Sequence, residues 1–326
     1  VSAPGRAGAH LGRRLRERDL LAAPAALNLL ESTAPKDREQ TRALLAEVSP
    51  AALGSEAEGH IVGVTGPPGA GKSTLLSTLL HAWREQGRTV AMLAVDPSSR
   101  RSGGALLGDR ARIEFDPSDR GVLIRSTAAG ERLGGLAAAT RSAAQALAAA
   151  FDVVVIETVG VGQAETEVAD VADTVVVVVQ PASGDVLQFL KSGIMETPDV
   201  LAVTKADLGD IALATRRDLN AALRSLGARE TKVVAVSSLP PTQGIEELVS
   251  ALEQHRGRAD IGARRARARR MGALLDYAGE HGERGLRALG GRRAAEKLLE
   301  TEDPGLDAQA LVAALERAAT DRRDGA

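Results

Sequence analysis

The sequence predicts an α/β chain built on a doubly wound, mostly parallel sheet, with helical extensions at both ends. Two observations predict it. First, the short runs "HIVGVTG", "RTVAMLAVD", "FDVVVIET", "TVVVVVQ", "DVLAVTK" and "KVVAVSS" are apolar throughout instead of alternating. Strands covered by helices on both faces read this way. Second, these runs alternate with helical segments, as repeated βαβ units do.

The elements follow in order. Up to about Gly59 the pattern is helical. Asp19 is placed to cap a segment carrying Leu20, Leu21, Leu27, Leu29 and Leu30, and Pro35 to open another through Leu44, Leu45 and Val48. The first strand, "HIVGVTG", leads through a Gly-rich turn into a helix from Lys72 to Gln86. The second strand is followed by a polar loop and an Ala-rich helix, Leu133 to Ala150, before the remaining four. Beyond Ser250 the strands stop. "HRGRADIGARRARARRMG" forms an Arg-rich bridge to Leu-bearing helical segments. The expected layout is a helical N-terminal extension (1–58), a nucleotide-binding core (59–256) and a helical C-terminal arm (257–326).

Composition excludes several function classes. The 326 residues carry 41 Lys plus Arg against 43 Asp plus Glu, so no global field draws the chain to nucleic acid or membrane. With no Cys there is no disulfide, thiolate metal site or Cys nucleophile. Aromatics are only 2%, too few for base-stacking platforms. No apolar run approaches the about 20 residues that cross a bilayer. The first residues, "VSAPGRAGAHLGRRLRERD", lack the apolar core of a signal peptide. A cytoplasmic location is the expectation.

The Gly-rich turn "GPPGAGKST", Gly66 to Thr74, matches G-x-x-x-x-G-K-[ST], with a strand before it and a helix after it. The fold is therefore expected to be that of a P-loop NTPase. Gly66, Gly69 and Gly71 permit a tight turn through Ala70 that aims backbone N–H groups at phosphate oxygens, and the helix N-terminus adds its partial positive charge. Lys72 is placed to neutralise β- and γ-phosphate charge, Ser73 to ligate Mg²⁺, and Thr74 to complete the loop. Asp96 and Glu157 end buried strands on the same edge, where a carboxylate can hold Mg²⁺ or its water. The Gly160 N–H can meet the γ-phosphate.

Late in the chain stands "VTKADLG", with the carboxylate that guanine requires at Asp207. It can accept from both N1–H and the 2-amino group, whereas adenine would leave the charge poorly paired. Lys205 is placed to lay its aliphatic stem along the base. Thr204 stands where guanine-reading loops usually carry Asn. The lost amide is worth about 1 kcal/mol, and the Thr hydroxyl is expected to recover part of it. Ser237 and Ser238, in "AVSS", follow the next strand, where such folds send an N–H to the guanine oxygen.

Taken in order, "GPPGAGKST", "AVDPSSRRSGGALLGDRAR", "IETVGVGQAETEVAD", "PASGDVLQFLKSGIME" and "VTKADLG" resemble the methylmalonyl-CoA mutase-associated GTPases of the MeaB type, earlier labelled ArgK or the lysine/arginine/ornithine transport system kinase family. The resemblance covers most of the chain. It implies GTP and GDP binding with Mg²⁺, slow hydrolysis, and a homodimer joined through the C-terminal arm. It also implies a chaperone partnership with an adenosylcobalamin-dependent acyl-CoA mutase, protecting or reactivating it or gating its cofactor. By position, Lys72, Ser73, Asp96 and Glu157 match the phosphate and metal residues. Asp109 matches the acid of the first switch. Asp185, Gln188 and Lys191 match a mobile loop that communicates with the mutase. Thr204, the stretch "RSTAAGERLGG" and an arm poor in aromatics depart from the family pattern, and bear on which mutase is served.

For hydrolysis, Val161 occupies the place of the water-positioning Gln of Ras-type enzymes, and the nearest Gln is Gln163. Gln163 either orients the attacking water or bonds its own loop. Two rivals stand beside this reading. One is a P-loop kinase or ATPase of the amino-acid transport type. The other is a metallochaperone GTPase for a nickel or cobalt enzyme, which the absence of Cys and the scatter of His10, His60, His81, His255 and His281 disfavour. The cluster Arg264, Arg265, Arg267, Arg269 and Arg270 reads as a solvated helix face.

Overall fold

The computed structural model describes residues 5–96, 113–128, 136–158, 167–182 and 198–324. The chain divides into two compact units.

The unit His60–Ala137 with Phe151–Asp260 holds the sheet. Its strands are β1 (His60–Thr65), β2 (Val90–Asp96), β3 (Val122–Ala128), β4 (Val153–Thr158), β5 (Thr174–Val179), β6 (Val200–Val203) and β7 (Lys232–Ala235). They lie in the order β3-β2-β4-β1-β5-β6-β7, every neighbouring pair parallel. The order reverses direction around β1, which makes the carboxyl ends of β1, β4 and β5 the switch point where ligands bind in doubly wound sheets.

Six of the strands were legible as apolar runs, and β3 was not. Its stretch "VLIRSTA" turns polar at Arg125, and the strand lies at the sheet edge, where less cover is needed. One sheet face carries Val62, Val64, Val153, Val155, Val176 and Val178. It packs on Leu75, Leu76, Leu79 and Trp83 and on Leu248, Val249 and Leu252. The first group lies on the helix Lys72–Glu85 and the second on the helix Ile245–Arg258. On the other face, a Cβ at Gly63 would meet Val168 Cγ2 at 2.7 Å and Ala172 Cβ at 3.0 Å, so glycine is what allows that segment to lie so close.

The unit Val1–Gly59, Ala138–Ala150 and Ile261–Ala326 is helical. Asp19 Oδ1 accepts from the Leu21 N–H at 3.1 Å, capping the turn before the helix Ala23–Leu30. Pro35 opens the turn that leads into the helix Arg38–Glu47. The Ala-rich helix is described over Ala138–Ala148, and Leu133, where it was expected to start, lies outside the described residues. Three helices complete the unit, here α1 (Ile261–Ala288, kinked at Gly282), α2 (Arg292–Thr301) and α3 (Ala308–Asp324). Leu274, Tyr277, Leu286, Leu311 and Leu315 form their core.

The arginine cluster corrects the expectation of a solvated face. Arg265 and Arg269 are 4% and 3% exposed. Arg265 donates to the carbonyls of Ala57 at 2.6 Å and Gly59 at 2.5 Å. Arg269 forms a bidentate pair with Glu56 at 2.9 and 2.6 Å and donates to Pro304 O at 2.6 Å. Arg267 alone of the cluster is exposed, with Arg264 and Arg270 half-buried. A count of charges cannot separate these positions, because a guanidinium enters a core once carbonyls or a carboxylate meet its terminal N–H groups. Among the described residues, no helix is long and apolar enough to cross a membrane.

Candidate nucleotide-binding site

The phosphate loop is shaped by glycines in the left-handed region. Gly69 has φ +77° and Gly71 φ +88°. Gly66, at φ +143°, runs so close to β5 that a Cβ there would sit 2.3 Å from Val178 O. No side chain with a Cβ fits. Gly71 is the N-cap of the helix Lys72–Glu85, and no side chain caps that first turn. By helix geometry its leading N–H groups face the loop.

Lys72 is 6% exposed, and its ammonium donates to Gly66 O at 2.6 Å and Pro67 O at 3.1 Å. Ser73 Oγ donates to Glu157 Oε1 at 3.3 Å. Glu157 is 2% exposed, in register with Val64 of β1. A hydroxyl and a carboxylate thus meet beside the loop. This is a set of hard oxygen donors suited to Mg²⁺. Asp96 closes β2 opposite Ala128, and its side chain lies outside the described residues. Ala70 is buried, and Thr74 is exposed on the first turn of the helix.

The loop expected to read the base leaves β6 at Thr204, which is 5% exposed. Its hydroxyl lies 2.7 Å from Ala70 O and 3.1 Å from Val179 O, and its N–H donates to Val179 O at 2.8 Å. Thr204 therefore ties the base loop to both the phosphate loop and β5. The hydroxyl that was expected to serve the base instead serves the protein, because it has one proton and two carbonyls in reach. Lys205 adopts φ +55°, and its exposed ammonium donates to Gln180 Oε1 at 3.1 Å. Asp207 is exposed, and its Oδ1 accepts from Ser237 Oγ at 2.9 Å. Ser237 in turn exchanges backbone bonds with Gln243, each at 3.0 Å. Its N–H, expected to reach the guanine oxygen, is engaged there, while Ser238 is the next residue along.

The structure therefore gathers Gly66–Ser73 with Glu157 and Thr204, and Lys205 and Asp207 with Ser237. Asp109, Gly160, Gln163, Asp185, Gln188 and Lys191 lie outside the described residues. Sequence reasoning missed Gln180 and Gln243. Gln180 had a signal, since it ends the apolar run of β5 at the edge where ligands bind. Gln243 had none, because its role depends on a loop folding back.

The chain is similar to several known proteins. A solved structure described as an LAO/AO transport system kinase is 27% identical with a TM-score of 0.64, and the match covers 97% of this chain and 99% of that one. A putative GTPase of Pyrococcus abyssi is 42% identical over 74% of each chain. The mitochondrial methylmalonic aciduria type A homolog of Mus musculus is 38% identical, covering 70% of this chain and 58% of that protein. The family model for the methylmalonyl Co-A mutase-associated GTPase MeaB matches residues 23–278. With a P-loop GTPase fold and that match over most of its length, the chain belongs to the MeaB family and is a GTPase.

Proposed function

We propose that the chain is a Mg²⁺-dependent GTPase chaperone of an adenosylcobalamin-dependent acyl-CoA mutase such as methylmalonyl-CoA mutase, protecting it, reactivating it or gating its cofactor loading. The family name supports the partner. The observation that carries the guanine reading is Asp207. Its carboxylate is oriented by the Ser237 hydroxyl and sits beside a loop that Thr204 ties to the phosphate loop. One oxygen accepts from Ser237, and the carboxylate keeps lone pairs for guanine N1–H and the 2-amino group. The backbone donor to the guanine oxygen falls to Ser238.

On this reading Lys72 leaves the carbonyls of Gly66 and Pro67 for the phosphates, whose full negative charge outcompetes neutral acceptors. Ser73, Glu157 and Asp96 are the residues that would hold Mg²⁺. Bound there, the ion supplies neutralisation of phosphate charge. Loop N–H groups from Gly66 to Thr74 orient the phosphates. Hydrolysis adds water to the γ-phosphorus and breaks its bond to the bridging oxygen, which leaves on GDP. Gly160, Asp109 and Gln163 are assigned to the switches that align that water, and Asp185, Gln188 and Lys191 to the loop that signals to the mutase. A layout of 1–58, 59–256 and 257–326, a homodimer through the last segment and a cytoplasmic location complete the proposal.

Calorimetric titration with GDP and with ADP in Mg²⁺ buffer, repeated on Asp207→Ala, tests it. Tight GDP binding, weak ADP binding and loss of at least about a hundredfold in GDP affinity in the variant are expected. ADP binding as tight as GDP would overturn the guanine reading and favour a kinase.

A further inference from the structure

We propose that the C-terminal helices carry a transition-metal site formed by Glu280 and His281 of α1 and Glu316 of α3, suited to a divalent ion of the zinc class. It stands apart from the nucleotide site and does not rest on the function proposed above.

One ligand atom from each of these residues lies within 4.8 Å of the others. His281 Nε2 is 3.4 Å from Glu316 Oε1. That is long for an N–H···O bond, whose usual length is about 2.9 Å. It matches the edge of a tetrahedron with metal–ligand bonds of about 2.1 Å, which is about 3.4 Å. The imidazole and the carboxylate are close enough to reach one ion, and Glu280 offers an oxygen within 4.8 Å of both.

The scaffold beneath them is firm. Leu274, Tyr277, Leu286, Leu311 and Leu315 pack α1 and α3 into one core. Tyr277 is 2% exposed, and its ring lies 4.5 Å from the His281 ring, at 45°, which packs one side of the imidazole. Glu280 and His281 are consecutive, so on a regular helix they diverge by about 100°. Gly282, at φ 60° and ψ −165°, interrupts the helix directly after them.

The charge balance and donor set also fit. Two carboxylates and a neutral imidazole cancel a dication. One nitrogen with two oxygens favours zinc, cobalt or nickel over Mg²⁺, which takes an all-oxygen octahedron. Arg38 competes for Glu280 at 3.4 Å, but that pair is exposed at both ends and cheap to release. Water would complete the coordination. The ion would staple α1 to α3.

The test is a zinc titration of the nucleotide-free full chain by chelator competition, with millimolar Mg²⁺ present to occupy all-oxygen sites. The same titration is run on His281→Ala and Glu316→Gln, with helix content checked by circular dichroism. Glu280, His281 and Glu316 are at or near the surface, so the variants are expected to fold. One zinc per chain is expected, with at least about a tenfold loss of affinity in each variant, a loss that even a supporting partner can give. Zinc should raise the thermal midpoint of the parent chain by more than that of either variant. Binding at parental strength in both variants, or no saturable binding in the parent chain, would overturn the proposal.

Discussion

Lys72 in the phosphate loop and Arg265 in the C-terminal helices are both buried cations that rest on main-chain carbonyls, Gly66 and Pro67 in one region, Ala57 and Gly59 in the other. The two contacts look alike and behave differently. Lys72 is a point charge on a flexible stem, and the carbonyls beneath it belong to a loop whose N–H groups face the same space. A phosphate at the loop would draw the ammonium off those neutral carbonyls by its charge. Arg265 is a planar fork with one branch on each carbonyl, so moving it would strand two acceptors at once. A carbonyl cradle thus serves as a resting place for a lysine and as a permanent joint for an arginine. The sequence shows neither distinction in the letters K and R alone.

Three measurements would break or sharpen that comparison. Lys72→Ala should show the largest effect. We expect GTP turnover to fall by about 10²–10³-fold, the loss seen when one preorganised electrostatic donor is removed. Stability to denaturant should change by less than about 1 kcal/mol, since a charge no longer has to be buried. Steady-state phosphate release and urea unfolding on the same preparation give both numbers, and a large stability loss would mean that Lys72 is itself a structural joint.

Arg265→Met keeps the apolar stem and removes the fork. Leaving the Ala57 and Gly59 carbonyls unmatched should cost about 2–4 kcal/mol in urea unfolding. Arg265→Lys should restore only part of that, because an ammonium cannot repeat the planar geometry. Equal stability of all three proteins would show that the joint is not needed.

The smallest effect concerns a third cation, held by a carboxylate. Arg141 donates to Asp276, yet burial of Asp276 outweighs that pairing and pushes its carboxyl above its ordinary value of 3.8. The folded state therefore binds this proton more readily than the unfolded state. The resulting stability is complete below 3.8 and is lost as pH rises through the folded value. Urea unfolding across that range, parent chain minus Asp276→Asn, should give a difference that declines with rising pH. A difference that is flat or climbs would put the attraction of Arg141 ahead of burial.

How much of this was legible beforehand depends on where the constraint is local. "GPPGAGKST" announced its loop because three glycines, a lysine and a hydroxyl are needed within one turn of chain, and the structure puts Gly66, Gly69 and Gly71 at positive φ. The buried strands were legible because helices on both faces demand unbroken apolar runs. By contrast, β3 was missed at the sheet edge, where that demand relaxes. The Thr204 hydroxyl was expected to recover part of the lost bonding to the base, and its bonds to Ala70 and Val179 were not legible because those partners come from other parts of the chain.

By itself, the sequence determined the class of sheet, the phosphate loop and the carboxylate at Asp207, because each depends on residues that act within a few positions of one another. Only the tertiary structure decided what Thr204, Ser237 and Arg265 do, and that Glu316 stands beside His281. Hydroxyls, guanidinium groups and imidazoles have many acceptable partners, and the one each takes is set by which distant backbone or side chain the fold brings within about 3 to 4 Å, the reach of a polar contact.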